Sequence, residues 1–456
     1  MAQPESRPEV EPDPANVETL WTPTRALGRA ILIAGGLILV GALLGRPDLI
    51  AIAAPFAIGA ALALRRRPAA EPQVELELPA EPPAEGSEVT AVVRVANPSS
   101  CPFDLVVTRV EAPRWVPLDR ADRPHATDLP ADQVAEVELR GPALRWGRHA
   151  IGPAHAYAVA AGGLLLAAPV MTPAGHLRVY PIPAAFRSDQ SIPRSAALVG
   201  LHRSRRPGEG GELAGVRRYM AGDRLRRVDW RVTLRTGEPH VAATWSDRDA
   251  TVILVLDVAQ DAGVSGGVRG NASVVDTTVR AAAAIAEHYL RHGDRVGLVE
   301  LTGEFRHLPA RHGRRHLQST MDWLLYAGPA PVGAEPGEPD NRRDFVLDPH
   351  RFPASALFIV LTPLLGPGSG QVMATLARAG RLVVAVDTLG DLVARAIVGT
   401  QWTRLAQRLW RLEREHLIGQ LWEVGVPVTG WAGAGSLDQV LRDLTRLAAA
   451  PRLGVR

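Results

Sequence analysis

Two long apolar runs near the N-terminus limit the folds open to this chain more than any other feature. They occupy residues 26–45 and 49–64, and only residues 46–48 separate them. Each run has about the 20 residues that a helix needs to cross the hydrocarbon core of a bilayer. We therefore predict two transmembrane helices, forming a hairpin, over residues 25–68. A secretory signal peptide and a buried hairpin of a soluble protein are the alternatives, and the immediate start of the second run argues against a signal peptide.

Arginines at the ends of these runs predict how the hairpin is oriented. Arg25 and Arg29 lie at the start of the first run, three arginines at 65–67 follow the second, and the turn carries Arg46 beside Asp48. Positively charged residues close to a span are retained on the cytoplasmic side of the membrane. We therefore expect a multi-pass protein of the cell membrane, with both termini and the soluble domains in the cytoplasm.

The segment before the hairpin, residues 1–24, is rich in proline and glutamate and has few large apolar side chains. Such a segment cannot bury enough surface to offset the entropy lost on ordering. We predict a disordered tail over these residues.

Short alternating runs between residues 72 and 181 predict an antiparallel β-sandwich. Segments such as 74–78, 89–95 and 134–139 alternate apolar and polar side chains, and they are separated by proline, asparagine, aspartate and glycine. A period of two is typical of a strand with one buried face. Several such strands at regular spacing indicate two sheets packed face to face.

Beyond residue 250 the pattern changes to buried strands that alternate with amphipathic helices. Continuous apolar segments lie at 251–256, 356–361 and 382–386, and a last helix is expected at 436–448. Alternation of this kind predicts an α/β domain over residues 251–450, with a parallel sheet covered on both faces. The fold class is therefore multi-domain, with a helical hairpin, a β-sandwich and an α/β domain.

The composition excludes several classes of site. The chain has 456 residues and a net charge of +3, and all of its basic residues other than histidine are arginine. So small a net charge does not require a nucleic-acid partner. The single cysteine, Cys101, cannot form an internal disulfide, and no Cys/His cluster has the spacing of a zinc site.

An arginine- and aspartate-rich motif lies within residues 182–250. It consists of Arg217, Arg218, Tyr219, Gly222, Asp223, Arg226, Asp229, Trp230 and Arg235. Arginine pairs with carboxylates through two hydrogen bonds and stacks on indole rings. Two interpretations remain open: a structural network that holds the segment on its neighbours, and a docking surface for an acidic partner. Nucleic-acid binding is disfavoured because the aspartates compensate the charge locally.

In order and spacing, the motif resembles the pattern R-x-Y-x-x-G-D-x-x-R-x-I-D-W-x-x-x-A-R of the bacterial domain-of-unknown-function-58 family. Leu234 departs from it, because the family usually has alanine there. The resemblance implies a membrane-anchored protein whose α/β domain is von Willebrand factor A-like, a Rossmann-like architecture. It also implies a MoxR-type AAA+ ATPase as the protein partner, in the assembly of other complexes or in cell-envelope processes.

Asp257 and Asp261 are the candidate ligands for a divalent cation. Metal-binding von Willebrand A domains carry D-x-S-x-S after the first strand, whereas this chain has Asp257, Ala259 and Asp261 at the matching positions. Both hydroxyl ligands are missing, and residues 362–365 supply no further aspartate. We therefore expect no functional metal site, and we expect Asp257 to accept hydrogen bonds from backbone N–H groups of its own loop.

Motifs of catalysis give little support for an enzyme. The chain has no glycine-rich phosphate loop followed by lysine and no H-E-x-x-H segment. We expect a non-enzymatic interaction or scaffold protein that needs no cofactor. A Mg²⁺-dependent ligand receptor that uses Asp257 and Asp261 is the alternative, and a hydrolase of unrecognised type is a third hypothesis.

Overall fold

The computed structural model describes residues 21–183, 207–219, 228–245, 251–301, 306–328, 347–354, 356–390 and 401–433. The chain divides into two compact units, residues 1–179 and 180–456. Most of the predicted tail, residues 1–20, and the predicted last helix, 436–448, lie outside the described residues.

Two apolar helices open the first unit, α1 (Arg25–Leu44) and α2 (Pro47–Arg65). The side chain of Thr24 caps the start of α1, and Gly45 ends it in the left-handed conformation that glycine adopts most easily. Both helices are long and apolar enough to cross a membrane, and only 17% of each apolar window is buried. A core helix of a soluble domain is mostly buried, so this exposure sets the pair apart from such helices.

The rest of the first unit is antiparallel sheet. Its strands within the described residues are β1 (Trp21–Pro23), β2 (Gln73–Glu77), β3 (Glu88–Ala96), β4 (Phe103–Val110), β5 (His125–Leu129), β6 (Val134–Pro142), β7 (Gly147–Ile151), β8 (Ala154–Ala160), β9 (Leu165–Ala167), β10 (Val170–Thr172) and β11 (Gly175–Val179). One sheet has the order β1-β9-β8-β4-β5 with β10 beside β8, a second has the order β2-β3-β6, and β7 pairs with β11. Alternate residues of β3 are buried, as the sequence pattern predicts, and they join residues of β4 and β8 in one hydrophobic core.

The prediction of a disordered tail is wrong at its C-terminal end, because β1 pairs with β9. Trp21 is 2% exposed, its ring lies 5.3 Å from that of Phe103, and its Nε1 donates a hydrogen bond to the carbonyl of Ala70 at 3.1 Å. This one side chain supplies the apolar surface that the segment otherwise lacks. The average composition of residues 1–24 did not indicate this contribution of a single side chain.

The second unit contains an antiparallel pair and a mixed sheet. The pair is β12 (Pro207–Arg218) and β13 (His240–Trp245), with the short helix α3 (Trp230–Thr236) between them in the chain. The elements of the mixed-sheet region are β14 (Thr251–Leu256), α4 (Val274–Arg291), β15 (Arg295–Glu300), β16 (His307–Arg311), α5 (Arg314–Leu324), β17 (Leu357–Thr362), α6 (Pro367–Arg378), β18 (Leu382–Asp387), α7 (Gln401–Glu423) and β19 (Val428–Gly430).

The strand order of the mixed sheet is β16-β15-β14-β17-β18-β19. All neighbouring strands are parallel except β16, which runs antiparallel to β15. The predicted parallel sheet is therefore a mixed sheet, with one antiparallel strand at this edge that the sequence analysis did not predict. Strand β16 alternates exposed and half-buried residues and carries two charged or ionisable side chains, so it lacks the continuous apolar run of the central strands.

Candidate functional site

The carboxyl ends of three parallel strands bring polar residues together in the second unit. Asp257 directly follows β14, and Thr362 and Asp387 are the last residues of β17 and β18. Thr362 is paired with Asp387 in the sheet, and the N–H of Asp257 donates to the carbonyl of Leu361 at 2.9 Å. Sheets of this type bind ligands outside the carboxyl ends of their strands, so this edge is one candidate site.

Asp257 is half-buried at this edge and contacts two buried hydroxyl groups. Oδ2 of Asp257 accepts a hydrogen bond from Oγ1 of Thr362 at 2.7 Å. The same Oγ1 of Thr362 lies 3.1 Å from Oγ of Ser369. Asp257 also accepts hydrogen bonds from the hydroxyl of Ser369 and from the N–H of Ala259. Burial nevertheless raises the pKa of Asp257, because desolvation of the carboxylate outweighs these hydrogen bonds. The predicted backbone contact is present, whereas the two hydroxyl partners are separated from Asp257 by more than 100 residues of sequence.

Asp261 has a different role from Asp257. Its Oδ1 accepts a hydrogen bond at 3.0 Å from the N–H of Val275 in the first turn of α4, a position where a carboxylate stabilises a helix. Among the described residues, no group of three or more His, Cys, Asp or Glu side chains is arranged to hold a metal ion. The arrangement therefore gives no support to the Mg²⁺-dependent receptor, which remains a prediction from the sequence.

A buried arginine lies beside this network. Nη2 of Arg414, on α7, is 2.5 Å from Oδ2 of Asp387, and the side chain of Arg414 is only 5% exposed. Its Nη1 donates to the carbonyls of Pro363 and, at 3.2 Å, Leu364. The permanent positive charge of Arg414 next to the strand ends opposes the binding of a metal cation there. Sequence reasoning did not identify Arg414, although its position on the apolar side of an amphipathic helix was a usable signal.

An open cleft of about 460 Å³ lies at the same edge of the sheet. The lining is mainly apolar and comes from the loops after β14, β17 and β18 and from α7. The lining residues are Ala262, Gly263, Leu365, Leu389, Thr403, Ala406, Gln407 and Trp410.

Residues 263–267 read Gly-Val-Ser-Gly-Gly and so match the G-x-S-x-G spacing of a serine nucleophile. That motif acts catalytically when its serine sits on a sharp turn directly between a strand and a helix. Here Ser265 lies within the long loop between β14 and α4, where its Oγ accepts a hydrogen bond from the N–H of Gly267 at 3.3 Å. The loop therefore lacks the geometry of a nucleophile elbow.

Asp257→Asn is expected to flatten the pH dependence of the free energy of unfolding of the second unit. Because the pKa of Asp257 is raised above 3.8 in the folded chain, folding takes up a proton in the pH range between 3.8 and the raised pKa. The wild-type chain therefore loses stability as the pH rises from 3.8 through the raised pKa, and the asparagine variant lacks this contribution. Urea unfolding of both chains across this pH range measures the difference.

Asp261→Asn is the matched control for Asp257→Asn, since it makes the same change at an exposed position of the same loop. Identical pH profiles for the wild type and the Asp257→Asn variant would contradict the assignment of a desolvated, destabilising charge.

The arginine- and aspartate-rich motif forms a second candidate site, on β12, α3 and the turn before β13. Arg217 pairs with Val241 along the strands, and the N–H of Tyr219 donates to the carbonyl of Pro239 at 2.8 Å. Nε of Arg218 is 3.1 Å from Oε2 of Glu238, and both side chains are exposed. Gly222, Asp223 and Arg226 lie outside the described residues.

Asp229 starts α3 by accepting hydrogen bonds from the N–H groups of Arg231 and Val232, at 3.0 and 3.2 Å. Its carboxylate is therefore a helix cap, the role in which aspartate is strongly favoured. Arg235, in the last turn of α3, is exposed. In the described part of the motif, the aspartate is thus bound by backbone groups, and the described arginine side chains lie at the surface.

Two large apolar side chains of α3 are also exposed. Trp230 is 65% exposed and Leu234 is 84% exposed, and residues four apart lie on the same side of a helix. Exposed Arg231 and Arg235 flank them. The structure therefore presents this part of the motif as a surface with an apolar centre and a basic rim.

Comparison with known proteins relates most of the second unit to proteins without an assigned function. Residues 215–394 match the model of the family described as "Protein of unknown function DUF58". Uncharacterized proteins of Mycobacterium tuberculosis and Mycobacterium bovis are 30% identical to this chain over 228 residues, which cover 46% of this chain and 70% of each relative.

Two solved structures show distant similarity to this chain. A native α-2-macroglobulin fragment of Escherichia coli has a TM-score of 0.22 and 13% identity, and the match covers 85% of this chain and 56% of that chain. A chain of the human seminal complex of zinc 2-glycoprotein and prolactin inducible protein has a TM-score of 0.19 and 15% identity, covering 25% of this chain and 96% of that chain. Similarity at this level carries no argument about fold or function.

Proposed function

Because this chain belongs to the DUF58 family, whose model matches residues 215–394, we propose that it is a membrane-anchored, non-enzymatic protein that binds another protein through its second unit. The observation that carries the proposal is the exposed apolar pair Trp230 and Leu234 within the matched region. A contiguous exposed apolar patch that is rimmed by polar residues often marks a site of interaction with another protein.

The chemistry of this surface favours a partner with an apolar pocket and acidic surroundings. Tryptophan and arginine are the residue types that most often dominate the energy of protein interfaces. Trp230 provides a large flat side chain, and Arg231 and Arg235 provide positive charge beside it. Arg218 is already paired with Glu238, so it contributes less free charge to the rim.

As the partner we propose a MoxR-type AAA+ ATPase, which is the expectation that the family resemblance provides. The process would be the assembly of other complexes or a cell-envelope function. Nucleotide-dependent remodelling by the partner then supplies the chemical work, and this chain supplies the docking surface and the attachment to the membrane.

For the membrane anchor we propose that α1 and α2 cross the bilayer and that the sheets of the first unit and the whole second unit face the cytoplasm. The arginines at 65–67 and at Arg25 support this orientation. The turn between the helices has Arg46, and its Nη2 is 2.6 Å from Oδ2 of Asp48, which balances the charge of the turn. A cytoplasmic second unit is also the arrangement that an ATP-dependent partner requires.

We further propose that the first unit is a β-sandwich and that the mixed sheet is von Willebrand factor A-like. The shared core of the β2-β3-β6 sheet and the larger sheet supports the sandwich. Numbered from β14, the mixed sheet has the order 3-2-1-4-5-6, which is the order of the Rossmann-like α/β architecture.

Trp230→Ala combined with Leu234→Ala is expected to reduce binding of the ATPase by at least about tenfold, because both side chains would lose a buried apolar contact in the complex. Full-length tagged chains are cross-linked in cells, extracted in detergent and tested for the co-purified ATPase. Because the ATPase is cytoplasmic, recovery also depends on the proposed orientation.

The control for this double variant is Val264→Ala, a change at an apolar side chain that is 82% exposed elsewhere on the second unit. We expect that control to bind as the wild type does. If the wild-type chain does not recover the ATPase in the presence of nucleotide, the proposed identity of the partner is wrong. If the double variant and the wild type recover it equally, the proposal that Trp230 and Leu234 form the binding surface is wrong.

A further inference from the structure

The helix α7 carries an apolar stripe that the fold of the second unit does not use. Its members are Trp402, Leu405, Leu409 and Leu412, which are 71%, 48%, 54% and 61% exposed. Their spacings of three, four and three residues place them along one side of the helix and match the a and d positions of a heptad repeat.

The other side of α7 is already occupied by the unit's own core. Arg414 and Leu421 are buried there, and Leu417 and Ile418 are half-buried against the same core. Because one side of the helix packs inward, the stripe is directed away from the sheet. Within the part of the chain that the structure describes, it remains open to solvent.

Charged residues next to the stripe are complementary to a second copy of the same helix. With Trp402 and Leu409 at a positions, Arg408 occupies a g position and Glu413 the following e position, and both are exposed. In a parallel two-stranded coiled coil, a g residue of one helix meets the next e residue of its partner. Two copies of α7 would therefore form two Arg408–Glu413 pairs, related by the two-fold axis.

We propose that α7 is the surface through which two copies of this chain associate, with the two helices parallel and their apolar stripes in contact. Such a contact is isologous, so one stripe and one pair of charged positions suffice for both partners. The helix is already ordered by its packing on the second unit, so association does not carry the cost of forming an isolated helix. The inference is independent of the ATPase surface, which lies on α3.

A membrane surface fits the same stripe less well. Helices that lie on a bilayer have a polar side dominated by basic residues. The charged residues at the e and g positions beside this stripe include Glu413 and Glu415 as well as Arg408. The mixed signs match a second copy better than an anionic lipid surface.

Charge reversal tests the pairing. Arg408→Glu and Glu413→Arg are each expected to weaken association about tenfold. Each substitution turns both Arg408–Glu413 pairs of the dimer from pairs of opposite charge into pairs of the same charge. The double variant Arg408→Glu/Glu413→Arg is expected to restore association. The full-length chain in detergent is labelled with donor and acceptor dyes in separate batches, and energy transfer on mixing reports dimers. Arg404→Glu is the matched control, since it makes the same charge change at an exposed c position.

Disulfide trapping tests the geometry. Cys101 is the only cysteine, so Cys101→Ser provides a cysteine-free chain. In that background Leu409→Cys and Leu412→Cys are expected to form cross-linked dimers under mild oxidation, whereas Arg404→Cys is not. Circular dichroism checks that these surface variants keep their folded structure.

Each other outcome overturns the proposal. If the chain stays monomeric and a dye at position 409 reports contact with lipid, the stripe binds the membrane instead. A monomer whose position 409 is protected without lipid would assign it to another part of the same chain, such as residues 434–456. Dimers that do not cross-link at position 409 or 412, or whose association is unchanged by charge reversal, would show that the two copies associate through a different surface.

Discussion

Replacing Arg414 by alanine is expected to lower the free energy of unfolding of the second unit by about 3–5 kcal/mol. The change leaves the carboxylate of Asp387 and the carbonyls of Pro363 and Leu364 without the guanidinium that now binds them. Removing one member of a buried ion pair is far more costly than the pair itself is worth, because the remaining charge stays desolvated. Urea unfolding followed by tryptophan fluorescence measures the loss, since Trp410 lies one turn away on α7.

A double-mutant cycle separates the pair from its parts. Asp387→Asn removes the charge that Arg414→Ala would strand, so the combined variant should lose less stability than the sum of the two single losses. Arg414→Lys keeps the positive charge but loses the several N–H donors of the guanidinium. Its free energy of unfolding should lie between those of the wild type and the alanine variant. A loss below about 1 kcal/mol for Arg414→Ala would show that the pair is effectively solvated.

Replacing Trp21 by alanine is expected to destabilise the first unit by about 3–5 kcal/mol, which is typical of truncating a buried aromatic side chain. Trp21 is 2% exposed, packs on Phe103 and donates to the carbonyl of Ala70. Its loss should also release β1 from β9, because β1 has only three residues. Thermal unfolding of the full chain in detergent, followed by circular dichroism in the β region, measures the change in stability.

Trp21→Phe is the control for this variant. Phenylalanine keeps most of the apolar contact with Phe103 and loses only the hydrogen bond to Ala70, so a loss of about 1 kcal/mol is expected. Proteolysis between residues 21 and 25 should become faster in the alanine variant and stay slow in the phenylalanine variant. Equal stability of all three chains would show that β1 is not part of the folded sheet.

Trp21 and Arg414 each attach one element to the sheets of its own unit. Trp21 attaches the residues just before α1 to the sheets of the first unit, so it connects a membrane-length helix directly to folded structure. Arg414 attaches α7 to the strand ends of the second unit, and α7 carries the stripe proposed for association of two copies. Loss of Arg414 is therefore expected to weaken that association indirectly as well.

Periodicity predicted the elements that have strong local patterns. The predicted strand at 251–256 coincides with β14, and the apolar segments at 356–361 and 382–386 agree with β17 and β18 to within one residue at each end. The two apolar runs correspond to α1 and α2. These elements are set by local pattern and by continuous burial, and both properties are visible in a single stretch of sequence.

Elements with weak local patterns were missed for physical reasons. Strand β16 lies at a sheet edge, where charged and polar side chains are tolerated because one side faces water. Strand β1 depends on one tryptophan that finds its pocket only after β9, far along the chain, has formed. The family motif was recognised from spacing, but spacing did not indicate that Asp229 would cap a helix or that Trp230 and Leu234 would face solvent.

By itself, the sequence determined the membrane-length helices, the change from alternating strands to an α/β pattern and the family. Those properties depend on residues that are near one another in the chain. Only the tertiary structure decided which distant groups meet: Asp257 with Thr362 and Ser369, Asp387 with Arg414, and an α7 with one buried side and one open side. The physical reason is that burial and desolvation act on groups brought together by the sheet, and no local pattern specifies which strand ends will be neighbours.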